Sequence, residues 1–163
     1  MRNKAISTHV DAEMRIIMGN VFSAMNISAT GMTAQRTRLD VISQNIANVN
    51  TTRDADGNVY RRKSVIFEEK NYVSFHDTLI HATGTLGKGV KISEIFEDTE
   101  EEGKLVYDPS HPDANEDGYV MYPNVNTVTE MTDMIDASRS YEANVTAFNA
   151  SKNMELKALD IGK

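Results

Sequence analysis

From Val125 to Ile161 the chain contains neither proline nor glycine, and all three prolines, Pro109, Pro112 and Pro123, fall just before this stretch. Val128, Met131, Met134, Ile135, Tyr141, Val145, Phe148, Leu156 and Leu159 follow one another along it at helical spacing, with some drift. The spacing predicts a helix over about 127–160, close to about 50 Å long at 1.5 Å per residue. Asn126 or Thr127 can cap its start, with Glu130 completing a capping box with Thr127. Gly162 ends it, and Lys157 lies near that end, where it favours the helix dipole.

A second long helix is expected over 21–49. Phe22, Met25, Ala29, Met32, Leu39, Ile42, Ile46 and Val49 keep the same period, and no proline interrupts them. Gly31 costs about 1 kcal/mol relative to alanine in a helix interior. With Ala29 and Ala34 beside it, it also lets a neighbouring helix come close. The preceding residues 1–20 form an N-terminal extension. It has no continuous apolar core and no small-residue cleavage site, so it does not read as a secretory signal.

Between the helices the character changes. Residues 51–58 are loop by composition, since Asp-Gly and Asn supply turn conformations. The runs YRRKSVIFEE, NYVSF, GVKISEIF, KLVYD and GYVMYP are rich in β-branched and aromatic residues and are punctuated by Gly84, Gly87, Gly89, Gly103 and Gly118. They read as short strands joined by turns, and EDTEEEGK as a charged tip. The expected class is α+β. A 21–50 helix and a 125–163 helix pack as an antiparallel coiled coil, and residues 51–124 form a loop and a small β-rich module inserted between them.

The helices are short of charge. Between Val21 and Asn50 only Arg36, Arg38 and Asp40 are charged, while serine, threonine, asparagine and glutamine are frequent. Between Ala137 and Ser151 only Arg139 and Glu142 are charged. Neutral amides and hydroxyls can be buried if their hydrogen bonds are met, whereas an unpaired charge cannot. These helices are suited to packing on more than one face. They resemble the inside of an assembly, and their ends are expected to be loosely ordered until assembly.

Few chemical motifs survive scrutiny. With 17 basic and 24 acidic residues, a net charge of −7 argues against a nucleic-acid partner. The absence of cysteine removes thiolate chemistry, cysteine-ligated zinc and disulfides. No apolar run approaches the roughly 20 residues that span a bilayer. Asp113, Asn115, Asp117 and Gly118 fit the first half of a calcium loop, but position 124 is asparagine where the bidentate glutamate belongs. A polar turn ordered by Asx hydrogen bonds is expected there instead. His9, His76, His81 and His111 form no ligand pair, and GTLGKG, residues 84–89, is too short for a phosphate loop. Neither a catalytic nor a metal site, nor a cofactor or small-molecule substrate, is expected.

FSAMNISATGMTAQRTRLDVISQNIANVNTT resembles the N-terminal signature of the flagellar axial family of rod, hook and hook-associated subunits. Its core is Ser43, Asn45, Ile46, Ala47, Asn48 and Thr51. The stretch YDPSHPDANEDGYVMYPNVN and the C-terminal DMIDASRSYEANVTAFNASKNMELKALDIGK are similar to the proximal rod members of that family. The likeness covers roughly residues 22–163, with the first 20 or so preceding the family's usual start. It implies a structural subunit exported by the flagellar type III apparatus without signal cleavage. Such a subunit polymerises with copies of itself and other rod proteins on the inner-membrane ring and export-gate base, and the rod crosses the periplasm and carries motor torque. It further implies that the packing residues between subunits are Phe22, Met25, Met32, Leu39, Ile42, Asn45, Ile46, Asn48, Val49, Met131, Ile135, Tyr141, Val145 and Phe148.

Overall fold

A computed structural model describes residues 2–53, 57–70 and 88–161, with the side chains of the first helix described from Phe22 onward. Among the described residues, two long helices bracket four short strands. The elements are α1 (Arg2–Ala47), β1 (Lys63–Glu69), β2 (Val90–Glu97), β3 (Lys104–Tyr107), β4 (Tyr119–Tyr122) and α2 (Thr127–Ile161). The α+β class and the order helix, β module, helix agree with the sequence reading. The predicted strand NYVSF, His76, His81 and most of GTLGKG lie outside the described residues, as does Gly162.

The first helix starts far earlier than expected, at Arg2 rather than at residue 21, so the segment read as an extension is continuous with it. It ends at Ala47, two residues before the expected boundary. The Asn48 amide donates to the Gln44 carbonyl at 2.9 Å, and Thr51 N–H donates to Asn48 O at 3.0 Å. A helix leaves its last carbonyls without partners, and an asparagine just past the end serves one of them here.

The second helix begins as expected, but its cap differs. Asn126 Oδ1 accepts from Val128 N at 3.0 Å and from Thr129 N at 3.4 Å, so Asn126 is the capping residue. Glu130 does not fold back to complete a box with Thr127. It turns inward, because the half-buried Arg62 and the Asn45 amide compete for it.

Both sheets are two-stranded, β1 with β2 and β3 with β4. The β3–β4 hairpin is antiparallel, with Leu105 opposite Met121, Val106 opposite Val120 and Tyr107 opposite Tyr119. The period of two puts Val106 and Val120 on one face. Val120 is buried, while Leu105, Tyr107, Tyr119 and Met121 on the other face are exposed. Asp98 N donates to Arg62 O at one end of the β1–β2 pair and Lys70 N donates to Gly89 O at the other, so that pair is also antiparallel.

The chain divides into two compact units, residues 34–67 with 92–140, and residues 1–33 with 68–91 and 141–163. The first contains the small apolar core of Ala34, Val41, Ile42, Val120 and Ala137. Its two helical segments run antiparallel, since Arg38 reaches Asp133 at 3.3 Å and Asn45 reaches Glu130 at 2.9 Å. In the other unit a Cβ on Gly31 would meet the Asn144 amide at 2.7 Å, so the glycine admits a close helix contact, as expected. There Gly89, at φ +59, lies against Thr30. The Thr30 hydroxyl accepts from Val90 N at 3.1 Å and donates to Ile27 O at 2.7 Å. A side chain at position 89 would be strained in that conformation and would also strike the hydroxyl.

Candidate functional site

Two of the largest fully buried side chains are polar. Asn45 and Glu130 are both at 0% exposure, alongside Val120. They meet where α1, the segment entering β1 and the first turn of α2 converge. The Asn45 amide donates to Lys63 O at 2.8 Å and to Glu130 Oε2 at 2.9 Å. Its Oδ1 accepts from Lys63 N at 2.9 Å and from the Tyr60 hydroxyl at 3.0 Å. Two donors and two lone pairs are all used, so this amide is saturated. Against Lys63 it acts as a substitute peptide group, pairing with the backbone as a neighbouring strand would.

Glu130 is held from the other side. Arg62 Nε donates to Glu130 Oε1 at 2.6 Å, and Arg62 Nη2 lies 3.5 Å from Asp133 Oδ2. Arg38 reaches the same Asp133 from α1 at 3.3 Å. The Arg62 backbone N–H donates to Asn124 Oδ1 at 2.9 Å, and Asn124 Nδ2 donates to Asp98 O at 3.4 Å. One cluster therefore ties α1, the entry to β1, the exit from β2 and both sides of the α2 start. A buried carboxylate is tolerable only with such partners. Burial pushes the Tyr60 hydroxyl above its ordinary range, with Glu97 and Glu130 adding to the effect.

A cavity of about 310 Å³ adjoins this cluster, lined by Val41, Ile42, Phe67 and the charged groups just named. Those charges already face one another. The DANEDG segment is likewise closed on itself. The Asp113 carboxylate accepts from the Thr52 hydroxyl at 2.6 Å and lies 3.3 Å from Arg53 Nε. Asn115 Oδ1 accepts from Asp117 N and Tyr119 N. The expected Asx-ordered turn forms, and the Asp113 carboxylate and Asn115 Oδ1 are engaged by protein donors. Among the described residues no group of three or more histidines and carboxylates could hold a metal.

The residues assigned by resemblance to subunit packing fall into two sets. Ile42 and Asn45 are buried within the chain, and Met25, Met32, Leu39, Ile46, Asn48, Val49, Val145 and Phe148 are half-buried. Phe22, Met131, Ile135 and Tyr141 are exposed. A coiled coil closed on the apolar stripes would bury Met131 and Ile135, the same residues that the resemblance assigns to contacts between subunits, and both are exposed in this chain. In the unit of residues 34–67 and 92–140 the buried side chains of the two helices are Ala34, Val41, Ile42 and Asn45 on α1 and Glu130 and Ala137 on α2, with Asn45 bonded to Glu130 across the seam. Val128, Met131 and Ile135 consequently point outward.

Arg62, Glu130, Asp133 and Tyr60 were not singled out from sequence as site residues. Arg62 was visible only as the middle of a short basic cluster and Glu130 only as a cap. A contact between residues 68 positions apart leaves no periodic trace.

Two family descriptions match parts of the chain. Residues 25–53 match "Flagella basal body rod protein", and residues 116–161 match "Flagellar basal body rod FlgEFG protein C-terminal". Whole-length likeness is stronger. The chain is 49% identical over 148 residues to the flagellar basal-body rod protein FlgC of Bacillus subtilis, covering 87% of this chain and 98% of that one. It is 48% identical over 148 residues to the protein of the same name from Borreliella burgdorferi, covering 86% and 97%. It is 39% identical over 144 residues to that of Escherichia coli O6:H1, covering 88% and 97%.

Proposed function

The chain belongs to the flagellar basal-body rod proteins, and on that premise we propose that it is a structural subunit of the rod, built in through its terminal helices. The observation that carries this is the near-complete overlap with relatives named as rod proteins, 98% of the Bacillus subtilis chain at 49% identity. The exposed apolar side chains of α2, with Val128 at 73% and Met131 at 57% exposure, are the chemistry such a role needs. A subunit that ends its life among neighbours can leave them uncovered.

The finer reading is that the rod is the proximal one, a drive shaft that passes motor torque across the periplasm. The subunit reaches it through the type III apparatus without signal cleavage and joins other rod proteins on the inner-membrane ring. Its work is mechanical, with no reaction, cofactor or small-molecule substrate. Deleting the chain tests this. The deletion strain is expected to build no rod and no filament and not to swim, and electron microscopy of its basal bodies should show the rod missing. Normal swimming in that strain refutes the reading.

A further inference from the structure

The outward faces of the two helices carry charges that make no ion pair among the described residues. In the unit of residues 34–67 and 92–140, the seam side of α1 is Ala34, Val41 and Asn45. Arg36, Asp40, Ser43 and Ala47 lie about half a turn round the same helix and are exposed. On α2 the seam side is Glu130 and Ala137, and the opposite stripe is Val128, Thr132, Ile135 and Arg139, all exposed. Among the described residues Arg36, Asp40 and Arg139 make no ion pair. Both stripes keep steps of three and four, the spacing of a helix–helix contact.

We propose that the α1 stripe of one copy docks on the α2 stripe of a second copy, with the Asp40 carboxylate against the Arg139 guanidinium. The proposal rests on the rod-subunit reading and adds which surfaces meet. Register follows from side-chain size and charge. With the two helices antiparallel and Asp40 beside Arg139, Ile135 falls on Ser43 and Thr132 on Ala47, so the branched side chain meets a small one. With the helices parallel, Ile135 would fall on Arg36 and desolvate an unpaired charge, which is costly. The antiparallel register also keeps copies in the same orientation, because α1 and α2 already run antiparallel within each chain.

The two stripes are different surfaces on opposite sides of the helix pair. A contact between them is heterologous, and repetition gives a ring or an open helical polymer rather than a closed dimer. An exposed ion pair adds little affinity alone. Its value lies in register and in rejecting wrong partners, since like charges placed opposite one another are strongly unfavourable.

The test is charge reversal in a strain lacking the native chain. Asp40→Arg copies set two guanidinium groups face to face, and Arg139→Asp copies set two carboxylates face to face. Each variant alone is expected to lower the yield of complete basal bodies about tenfold or more. Co-expressing the two variants is expected to restore yield, because alternating copies pair opposite charges at every junction. Neither an intrachain ion pair nor a contact with a different protein is repaired that way. Circular dichroism of each purified variant shows whether it folds. Because the chain has no cysteine, a second test is Asp40→Cys with Arg139→Cys, which under mild oxidation should give a ladder of linked copies from isolated rods. Normal assembly of either single reversal overturns the proposal, as does folded protein that is not restored by co-expression and gives no ladder. Complete rods in the deletion strain would instead remove the rod reading itself.

Discussion

Replacing Glu130 with glutamine keeps the shape of the side chain and removes its charge. Both Glu130 oxygens accept hydrogen bonds, from Arg62 Nε at 2.6 Å and from Asn45 Nδ2 at 2.9 Å. Glutamine has one carbonyl oxygen, so whichever way its amide turns, an NH₂ group faces a donor. Asn45 cannot yield by flipping, because Tyr60 and the Lys63 N–H both donate to its Oδ1 and Lys63 O takes its Nδ2. Losing a charge-assisted bond costs about 1.5–3 kcal/mol, and an unsatisfied buried donor about 1–3 kcal/mol more. Arg62 keeps Asp133 as a neighbour, which offsets part of the loss. The net expectation is about 3 kcal/mol, or a fall in Tm of about 6–12 °C for a chain of this length. Thermal or urea unfolding of the single chain, followed by far-UV circular dichroism, measures it, with Glu142→Gln on the exposed face as the control. In the double variant Asn45→Asp with Glu130→Gln, the glutamine amide can donate to the new carboxylate. The pair should therefore lose at least about 1 kcal/mol less than the two single losses combined. A loss from Glu130→Gln below about 1 kcal/mol refutes the argument that the junction holds the fold.

Three further outcomes are expected. Gly103→Ala drives a methyl group into the Tyr122 carbonyl oxygen across the hairpin, and unfolding should show a loss of about 1–3 kcal/mol. Asn126→Ala removes the cap of α2 and should cost about 1 kcal/mol, with amide exchange accelerating at Val128 and Thr129 before it does further along the helix. Tyr60 contributes a pH dependence at the alkaline end. Its hydroxyl is held above the ordinary 10.0, chiefly by burial, so the folded state keeps its proton where the unfolded chain has lost it. That contribution is fully present below pH 10.0 and is lost as pH rises through the raised value. The stability difference between native protein and Tyr60→Phe should hold steady below that pH and shrink above it, and a difference that widens there contradicts the assignment.

The long helices were legible because proline-free, period-3.6 sequence admits few alternatives, and the strand positions were legible from β-branched runs between glycines. The rotation of the helices was not. Met131, Ile135 and Val128 outrank Ala34, Ala137 and Asn45 on any hydrophobic scale, yet the intrachain seam buries the second set and leaves the first exposed. Hydrophobic periodicity reports which residues avoid water somewhere, and it does not distinguish the partner helix of the same chain from a neighbouring molecule. The early start of α1 was missed for a related reason: a segment of mixed charge and scattered apolar residues has little periodicity of its own and joins the helix by extending it. The junction of Arg62 with Glu130 was invisible because its members are far apart in sequence and each has an ordinary local reading.

The shortage of charge on the helices has two separate causes. Part of the polar, neutral chemistry is used inside the chain: Asn45, Ser28 and Ser151 are buried, Thr30 is bound to the backbone of β2, and Asn48 ends α1. These residues are neutral because of contacts inside the chain, and their composition carries no information about a neighbouring molecule. On the outside, Ser43, Gln44 and Ala47 on α1 and Thr129 and Thr132 on α2 are among the exposed neutral residues, beside exposed apolar side chains. A surface of that kind has little to repel a neighbour and few groups to desolvate when one arrives. It also has little to specify which neighbour or which register, because small and neutral side chains fit many partners about equally well. Specificity then falls to the few charges left, and among the described residues Arg36, Asp40 and Arg139 make no ion pair on those faces. Reversing one of them should therefore disturb assembly far more than its modest worth as a surface ion pair suggests. Trading Ser43 for alanine on the same stripe should leave both folding and assembly almost unchanged.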